Sequence, residues 1–251
     1  MKTIAIANHK GGVGKTTTAL LLAAGLREKK KKVLLIDLDM QQNLSLTCGI
    51  DSENDLYGSS LFDVLVAKRK TNINDCLFQV YEDTPDLDIL VGNISEEDKL
   101  KEDDLKNALL GLNKAYDYII IDTPPALNII TKMAIKAADD LIIPVQPSKY
   151  SLYGIGNLYA FIQEVNPGIN IAGLLLVGIN DRTNVGKKYI NDYKEIAKEI
   201  DTKLFKAMIH NSVAILEAQN NDTTVFKHAP RSTVAKDYKA FIDEYMKGNK
   251  K

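Results

Sequence analysis

Residues 9–18 read His-Lys-Gly-Gly-Val-Gly-Lys-Thr-Thr-Thr and follow the apolar run Thr3–Ala7. A short apolar run ended by glycines is a strand signal, and Thr16–Lys29 patterns as a helix. Gly11, Gly12 and Gly14 therefore sit in a strand-to-helix turn. Without side chains they let backbone N–H groups turn inward and approach an anion closely. The start of the next helix adds partial positive charge. Lys15 is placed to neutralise the β- and γ-phosphates of a nucleotide, and the Thr16 hydroxyl to ligate Mg²⁺. Counting back from Gly14, the first glycine of the common GxxxxGK[ST] pattern falls on His9. The loop is thus a shorter variant, KGGVGKT, with a second lysine, Lys10, at its entrance. The expected nucleotide-binding set is Lys10, Gly11, Gly12, Val13, Gly14, Lys15, Thr16 and Thr17.

Beyond the loop, strand-like runs alternate with helical stretches. The runs are Thr3–Ala7, Val33–Ile36, Leu87–Val91, Tyr118–Ile121, Leu141–Pro144, Ala172–Ile179 and, more weakly, Leu204–Ile209. The helical stretches are Thr16–Lys29, Asp98–Asn113, Thr131–Ala138, Leu152–Val165, Gly186–Ile200 and Ala235–Met246. Several runs are nearly continuous Val, Ile and Leu, as in strands covered on both faces. The expectation is an α/β fold of P-loop NTPase type: a mostly parallel twisted sheet with helices on both faces. One domain over residues 1–251 is expected, since neither a repeat nor a low-complexity linker interrupts it.

No apolar run is long enough to span a membrane, and the sequence opens on a strand-like segment, so neither a signal peptide nor an N-terminal helix-turn-helix extension is expected. Cys48 and Cys76 form no CxxC pair and read as reduced thiols of a cytoplasmic protein. Val234, Tyr238, Phe241, Ile242, Tyr245 and Met246 mark one face of the last helix. Packing on the protein body is the commoner use of such a stripe, and the following 247–251 tail has no apolar residue to insert into a lipid surface.

Two more strands end in carboxylates. Leu34–Asp39 carries Asp37 and Asp39, which strand alternation would place on one side. Tyr118–Pro125 carries Asp122. Like charges gathered at strand ends call for a cation, and Mg²⁺ held with Thr16, phosphates and water answers that need.

The loop KGGVGKT resembles the deviant Walker A of the ParA/MinD group of P-loop ATPases. Within that group, DLDMQQN (37–43) resembles the DxDPQxN segment of ParA/Soj partition ATPases, with Asn43 matching and Met40 in place of proline. The segments 142–158 and 178–184 resemble the same branch. The resemblance implies ATP and Mg²⁺ as ligands and an ATP-dependent sandwich homodimer. Lys10 would reach the partner's γ-phosphate, while Lys15 serves its own. Asp37 would belong to the magnesium environment, Asp39 would position the attacking water, and Asp122 would be the Walker B carboxylate. Asn180 would read the adenine edge, with His210 lining the same pocket.

The resemblance also implies partners: non-specific DNA, giving nucleoid association, and a ParB-like centromere-binding protein that stimulates hydrolysis. Residues 180–251 hold 14 Lys and Arg against 10 Asp and Glu. Arg182, Lys187, Lys188, Lys206 and Lys227 are the expected DNA contacts, because Asn211 and Ala214 stand where relatives carry arginines. That loss leaves two alternatives open: an ATP-dependent positioning switch acting on a protein scaffold, and a metabolic ligase of the same fold.

Overall fold

The computed structural model describes residues 1–50, 60–66, 71–81 and 84–248. The end of the 247–251 tail therefore lies outside the described residues. In chain order the elements are β1 (Lys2–Ile6), α1 (Lys15–Glu28), β2 (Val33–Asp37), α2 (Asn43–Thr47), α3 (Leu61–Leu65), β3 (Leu77–Gln79), β4 (Leu87–Val91), α4 (Asp104–Leu109), β5 (Tyr118–Asp122), α5 (Ile129–Ala137), β6 (Asp140–Val145), α6 (Lys149–Val165), β7 (Asn170–Ile179), α7 (Asn184–Glu199), β8 (Ile209–His210), α8 (Ala214–Asn220), α9 (Val225–His228) and α10 (Thr233–Gly248).

These strands form a sheet in the order β3-β4-β2-β5-β1-β6-β7-β8, parallel throughout except for the antiparallel edge strand β3. Strand alternation sorts the core into two layers. Ile4, Ile6, Val33 and Leu35 face α1 and α10, whereas Ala5, Ala7, Leu34 and Ile36 face α5, α6 and α7. The sandwich expected from the alternation of runs and helices is present.

Two sequence expectations need correction, and a third group of short elements was missed. The stretch Asp98–Asn113 is not one helix: a 3₁₀ turn at Glu97–Lys99 precedes the short α4. The Asp104 carboxylate accepts the Lys101 N–H and starts the helix only there. Second, Leu204–Ile209 is not a continuous strand. Leu204 bridges Leu174 alone, and pairing resumes at Ile209–His210. Third, the edge strand β3 and the short helices α2, α3, α8 and α9 carry too few residues for a periodic signal.

The final helix packs as its stripe indicates. Val234, Tyr238, Phe241, Ile242 and Tyr245 are buried against α1 and the sheet. Phe241 meets Phe205 edge to face at 4.9 Å. The Tyr238 hydroxyl lies 3.2 Å from Thr18 Oγ1, and the Tyr245 hydroxyl donates to buried Asp140 at 2.7 Å. Among the described residues no helix is long and apolar enough to cross a membrane.

Phe241→Ala should lower stability by about 3–5 kcal/mol, the usual cost of removing a buried aromatic ring. Urea unfolding checks this; a loss below about 1 kcal/mol would show that α10 is dispensable to the core.

Candidate active site

Parallel register builds the site. β1 lies between β5 and β6, and β5 lies between β1 and β2. Ile6 pairs with Asp122, and Asp122 pairs with Asp37. The loop after β1 and two carboxylates thus emerge at one sheet edge, at the carboxyl ends of the strands where ligands of open α/β sheets bind.

The loop backbone fits an anion. Gly12 and Gly14 have φ of +72° and +88°, the left-handed region that side chains disfavour. A Cβ on Gly14 would stand 3.1 Å from Val177 on β7, whereas one on Gly12 would meet nothing within 4 Å. Val13 is fully buried and anchors the turn. Gly11, Thr16, Thr17, Asp39 and Pro125 line a cavity of about 510 Å³ beside Lys15. Lys15 is buried, and its Nζ donates to the Lys10 carbonyl at 3.2 Å. Burial lowers its pKa, while the charges of Asp122 and Asp39 oppose that shift.

The Thr16 hydroxyl donates to Asp122 Oδ2 at 2.7 Å, and Asp122 Oδ1 is buried without a hydrogen-bond partner. Burial first, then the Asp37 charge, push the Asp122 carboxyl up to about 8. A buried carboxylate with an orphan oxygen fits a cation. Among the described residues no group of three or more His, Cys, Asp and Glu could hold a metal. Thr16 and Asp122 are the residues that would hold a magnesium ion here, a hard cation that usually takes few protein ligands and completes its shell with phosphate oxygens and water. Such an ion would supply positive charge against the phosphates of a nucleotide.

The structure bears on two expectations about β2. The Asp37 carboxylate, expected in the magnesium environment, is already engaged by its own chain. Oδ2 accepts from Ser45 N–H at 2.9 Å and Ser45 Oγ at 2.7 Å, and Oδ1 accepts from Asp39 N–H at 3.1 Å. The charge of Asp37 acts on Asp122, and its hydrogen bonds fix the loop that follows. Asp39 does not share its side by strand alternation, because β2 ends at Asp37. It lies in a turn at the cavity mouth, its Oδ1 accepting from Gln41 N–H.

Lys10 points away from its own phosphate cradle. Its Nζ donates to Ser148 Oγ at 3.0 Å. Ser148 also caps α6 by accepting the Ser151 N–H. Gln146 Nε2 donates to the Gly12 carbonyl at 2.7 Å, and the Tyr193 hydroxyl donates to the Gln146 carbonyl. Gln146 and Ser148 brace the loop, and sequence reading missed both. Their segment stood out only as a resemblance, since one glutamine and one serine carry no spacing signal. His9 packs against Gly154 of α6, and burial lowers its pKa, so the neutral ring is a packing element.

Asn180 and His210 meet, as expected, in a second cavity of about 530 Å³ that includes Asp181, Arg182 and Asn211. His210 Nδ1 lies 2.9 Å from Asp237 Oδ2 on α10, and Nε2 lies 3.5 Å from Asp181 Oδ1. The cavity follows the end of β7, whose Val177 abuts Gly14 of the phosphate loop.

The five expected DNA contacts do not form one patch. Arg182 and the first-turn residues Lys187 and Lys188 of α7 lie at the carboxyl edge of the sheet. Lys206 follows the Leu204–Leu174 bridge, midway along β7, and its N–H donates to Glu244 near the end of α10. Lys227 lines a cavity with Arg27 and Glu28, at the end of α1 far from the phosphate loop. Helix direction places Lys227 toward the opposite edge, and Lys206 lies between the two.

Residues 1–172 match the family model described as an AAA domain. The chain is 35% identical over 249 residues to the sporulation initiation inhibitor protein Soj of Bacillus subtilis, covering 94% of this chain and 95% of the relative. It is 32% identical to the chromosome partitioning protein ParA of Myxococcus xanthus, covering 98% and 88%. Cobyrinic acid a,c-diamide synthase from Mycobacterium smegmatis, solved with an ATP analog and magnesium, superposes with a TM-score of 0.77 at 27% identity, covering 97% and 93%. With the phosphate loop, Thr16 and Asp122 in place, the chain belongs to the ParA/Soj-type P-loop ATPases, an ATPase fold that works with ATP and Mg²⁺.

Proposed function

We propose that the protein is a DNA-partition ATPase that cycles between a monomer and an ATP-bound sandwich homodimer. The observation that carries this reading is the division of labour between two lysines. Lys15 already lies buried in the cradle, while Lys10 stands outside it on Ser148. A second cation at the loop entrance is redundant for its own phosphates and useful to a facing copy. The rim supports the same reading: Met40, Leu46, Tyr150, Tyr153, Val213 and Leu216 are exposed large side chains. Exposed apolar groups clustered near a site mark an association surface.

In the dimer, Asp39 orients water in line with the γ-phosphate, and Lys15 with the partner's Lys10 stabilises the developing charge. The ATP dimer binds DNA through Arg182, Lys187 and Lys188, with little regard to sequence. A ParB-like partner stimulates hydrolysis and ends the bound state, which places the protein in the cytoplasm on the nucleoid. Lys206 and Lys227 fit this contact poorly, lying back from the carboxyl edge of the sheet. Their separation favours one competing reading, a positioning switch that acts on a protein scaffold without DNA. The ligase alternative instead requires ATP turnover that depends on a carboxylate substrate.

Asp39→Ala should slow turnover roughly 100-fold or more, within the range of a lost general base, and accumulate the ATP dimer. Sedimentation of this variant with ATP, Mg²⁺ and random-sequence duplex tests the reading. Co-sedimentation that weakens with salt supports partition; a dimer that ignores duplex at low salt moves the function to a scaffold. Gly12→Val should abolish ATP-dependent dimers, because valine resists positive φ and projects into open space at the loop. Normal dimers in this variant would count against a sandwich.

Ser148 offers a sharper test of Lys10. Aspartate is as good an N-cap as serine, so Ser148→Asp keeps α6 and pairs Lys10 with a charge. Dimer formation should slow roughly three- to tenfold, the effect of ~0.7–1.4 kcal/mol added to the contact, with monomer affinity for ATP unchanged. An unchanged dimerisation rate in stopped-flow light scattering would show that Lys10 need not leave Ser148.

A further inference from the structure

The phosphate loop is a row of unengaged backbone donors. Among the described residues the N–H groups of Gly11, Gly12, Val13 and Gly14 donate to no group of the chain. Such donors bind an anion only when they point into the cradle, and a glycine-rich loop has little of its own to hold them there. Gly12 shows the difficulty. Its φ is +72°, and a Cβ placed on it would meet nothing within 4 Å. Neither a side chain nor a close neighbour at Gly12 limits rotation of the Gly12–Val13 peptide. The buried Val13 side chain anchors the loop, but a peptide can turn between its two Cα atoms without moving that anchor.

The restraint comes from another element. Gln146 follows β6 directly and donates from Nε2 to the Gly12 carbonyl at 2.7 Å. A trans peptide is planar, with its C=O and N–H pointing in opposite directions. Among the described residues no peptide bond is cis. Drawing the Gly12 carbonyl toward Gln146 therefore turns the Val13 N–H the other way, toward the cavity lined by Gly11, Gly12, Gly14 and Lys15.

Gln146 is itself well placed to act as a fixed point. Its carbonyl accepts the Tyr193 hydroxyl at 2.5 Å and the Ser148 N–H at 2.8 Å. Tyr193 is fully buried on α7. The position of Gln146 is thus set by the core, not by the loop that it holds.

Resting on the reading of this loop as the nucleotide site, we infer that Gln146 is the positioning residue of the phosphate cradle. It aims the Val13 N–H at the bound phosphates by holding the Gly12 carbonyl away from them. Without that bond the peptide can turn, and a carbonyl oxygen then faces the phosphates where an amide hydrogen stood. A donor aimed in advance costs no reorganisation when the anion arrives. Two residues further on, Ser148 holds Lys10. One short segment therefore serves two ends of the loop separately: Gln146 the subunit's own phosphates, Ser148 the lysine at the entrance.

Gln146→Met in the full chain tests this. Methionine is unbranched and uncharged like glutamine but donates no hydrogen bond. In calorimetric titration with Mg²⁺, ADP and ATP should both bind roughly tenfold more weakly or worse, the effect of one hydrogen bond to a charged group. The spectroscopic readout is the Val13 amide in ¹⁵N-valine-labelled protein, its resonance assigned by its absence in Val13→Ile. ADP should move this amide proton downfield in wild-type protein and leave it near its unliganded position in Gln146→Met. Tyr193→Phe keeps the ring in the core and removes only the hydroxyl on the Gln146 carbonyl. It should weaken ADP in the same direction by a smaller factor, roughly two- to threefold.

Unchanged ADP affinity in Gln146→Met would overturn the inference. So would weaker binding with the Val13 shift intact, since that result would leave Gln146 a general support of the loop. A wild-type Val13 amide that ADP does not move would overturn it as well. Wild-type protein that binds neither ADP nor ATP would instead show failure of the nucleotide reading.

Discussion

Two carboxylates on neighbouring parallel strands organise this site. The register sets Asp122 directly beside Asp37, both fully buried. Adjacent strands lie about 4.8 Å apart, so two negative charges there are costly without compensation. Asp37 is relieved by three hydrogen bonds from Ser45 and Asp39. Asp122 has one bond, from Thr16, and an oxygen with none. The asymmetry separates them. The satisfied carboxylate shapes the loop that carries Asp39. The unsatisfied one would be relieved by a cation beside the Thr16 hydroxyl. Lys15 is the nearest protein cation, yet its amine bonds the Lys10 carbonyl and loses pKa to burial. Phosphate and magnesium together resolve both deficits, which is why the pocket suits a metal-nucleotide better than either alone.

That division was only half legible in the sequence. The phosphate loop was readable because its chemistry is local: glycines, Lys15 and Thr16 are consecutive, and strand and helix flank them. Asp122 was readable because an apolar run stops on it. The hold of Ser45 on Asp37 was not readable, because Ser45 lies eight residues later, across a turn that no periodicity reports. Strand alternation failed for Asp39 for a related reason, since the strand ends two residues earlier. Lysine positions were the least legible. Arg182, Lys187 and Lys188 are close in sequence and stay close in space. Lys206 and Lys227 joined them by charge alone, and the fold carries them back from the carboxyl edge of the sheet.

The fold itself followed from pattern wherever an element was long. Val33–Ile36 and Tyr118–Ile121 have side chains buried on both faces, so a continuous apolar run was enough. The stripe on α10 was equally plain. Strands of two or three residues, such as β8 and β3, take their form from pairing with neighbours already in place. A hydrogen-bonded edge can order three residues that have no preference of their own, and such an edge is visible only after the sheet is assembled.

The last helix joins stability to the site. Its apolar stripe closes the core over α1, and its polar positions reach specific groups: Tyr238 meets Thr18 in the helix after the phosphate loop, Tyr245 meets Asp140 on β6, and Asp237 holds His210. One rigid element thus sets the position of the phosphate helix and of the second cavity together. Packing of Phe241 and Ile242 fixes the helix rotation, and that rotation aims Asp237. Any movement of α10 along its axis would disturb the histidine contact before it opened the core, because a hydrogen bond tolerates less displacement than an apolar contact. The same apolar stripe that could have served a lipid surface is therefore committed to holding the phosphate helix and the second cavity in register.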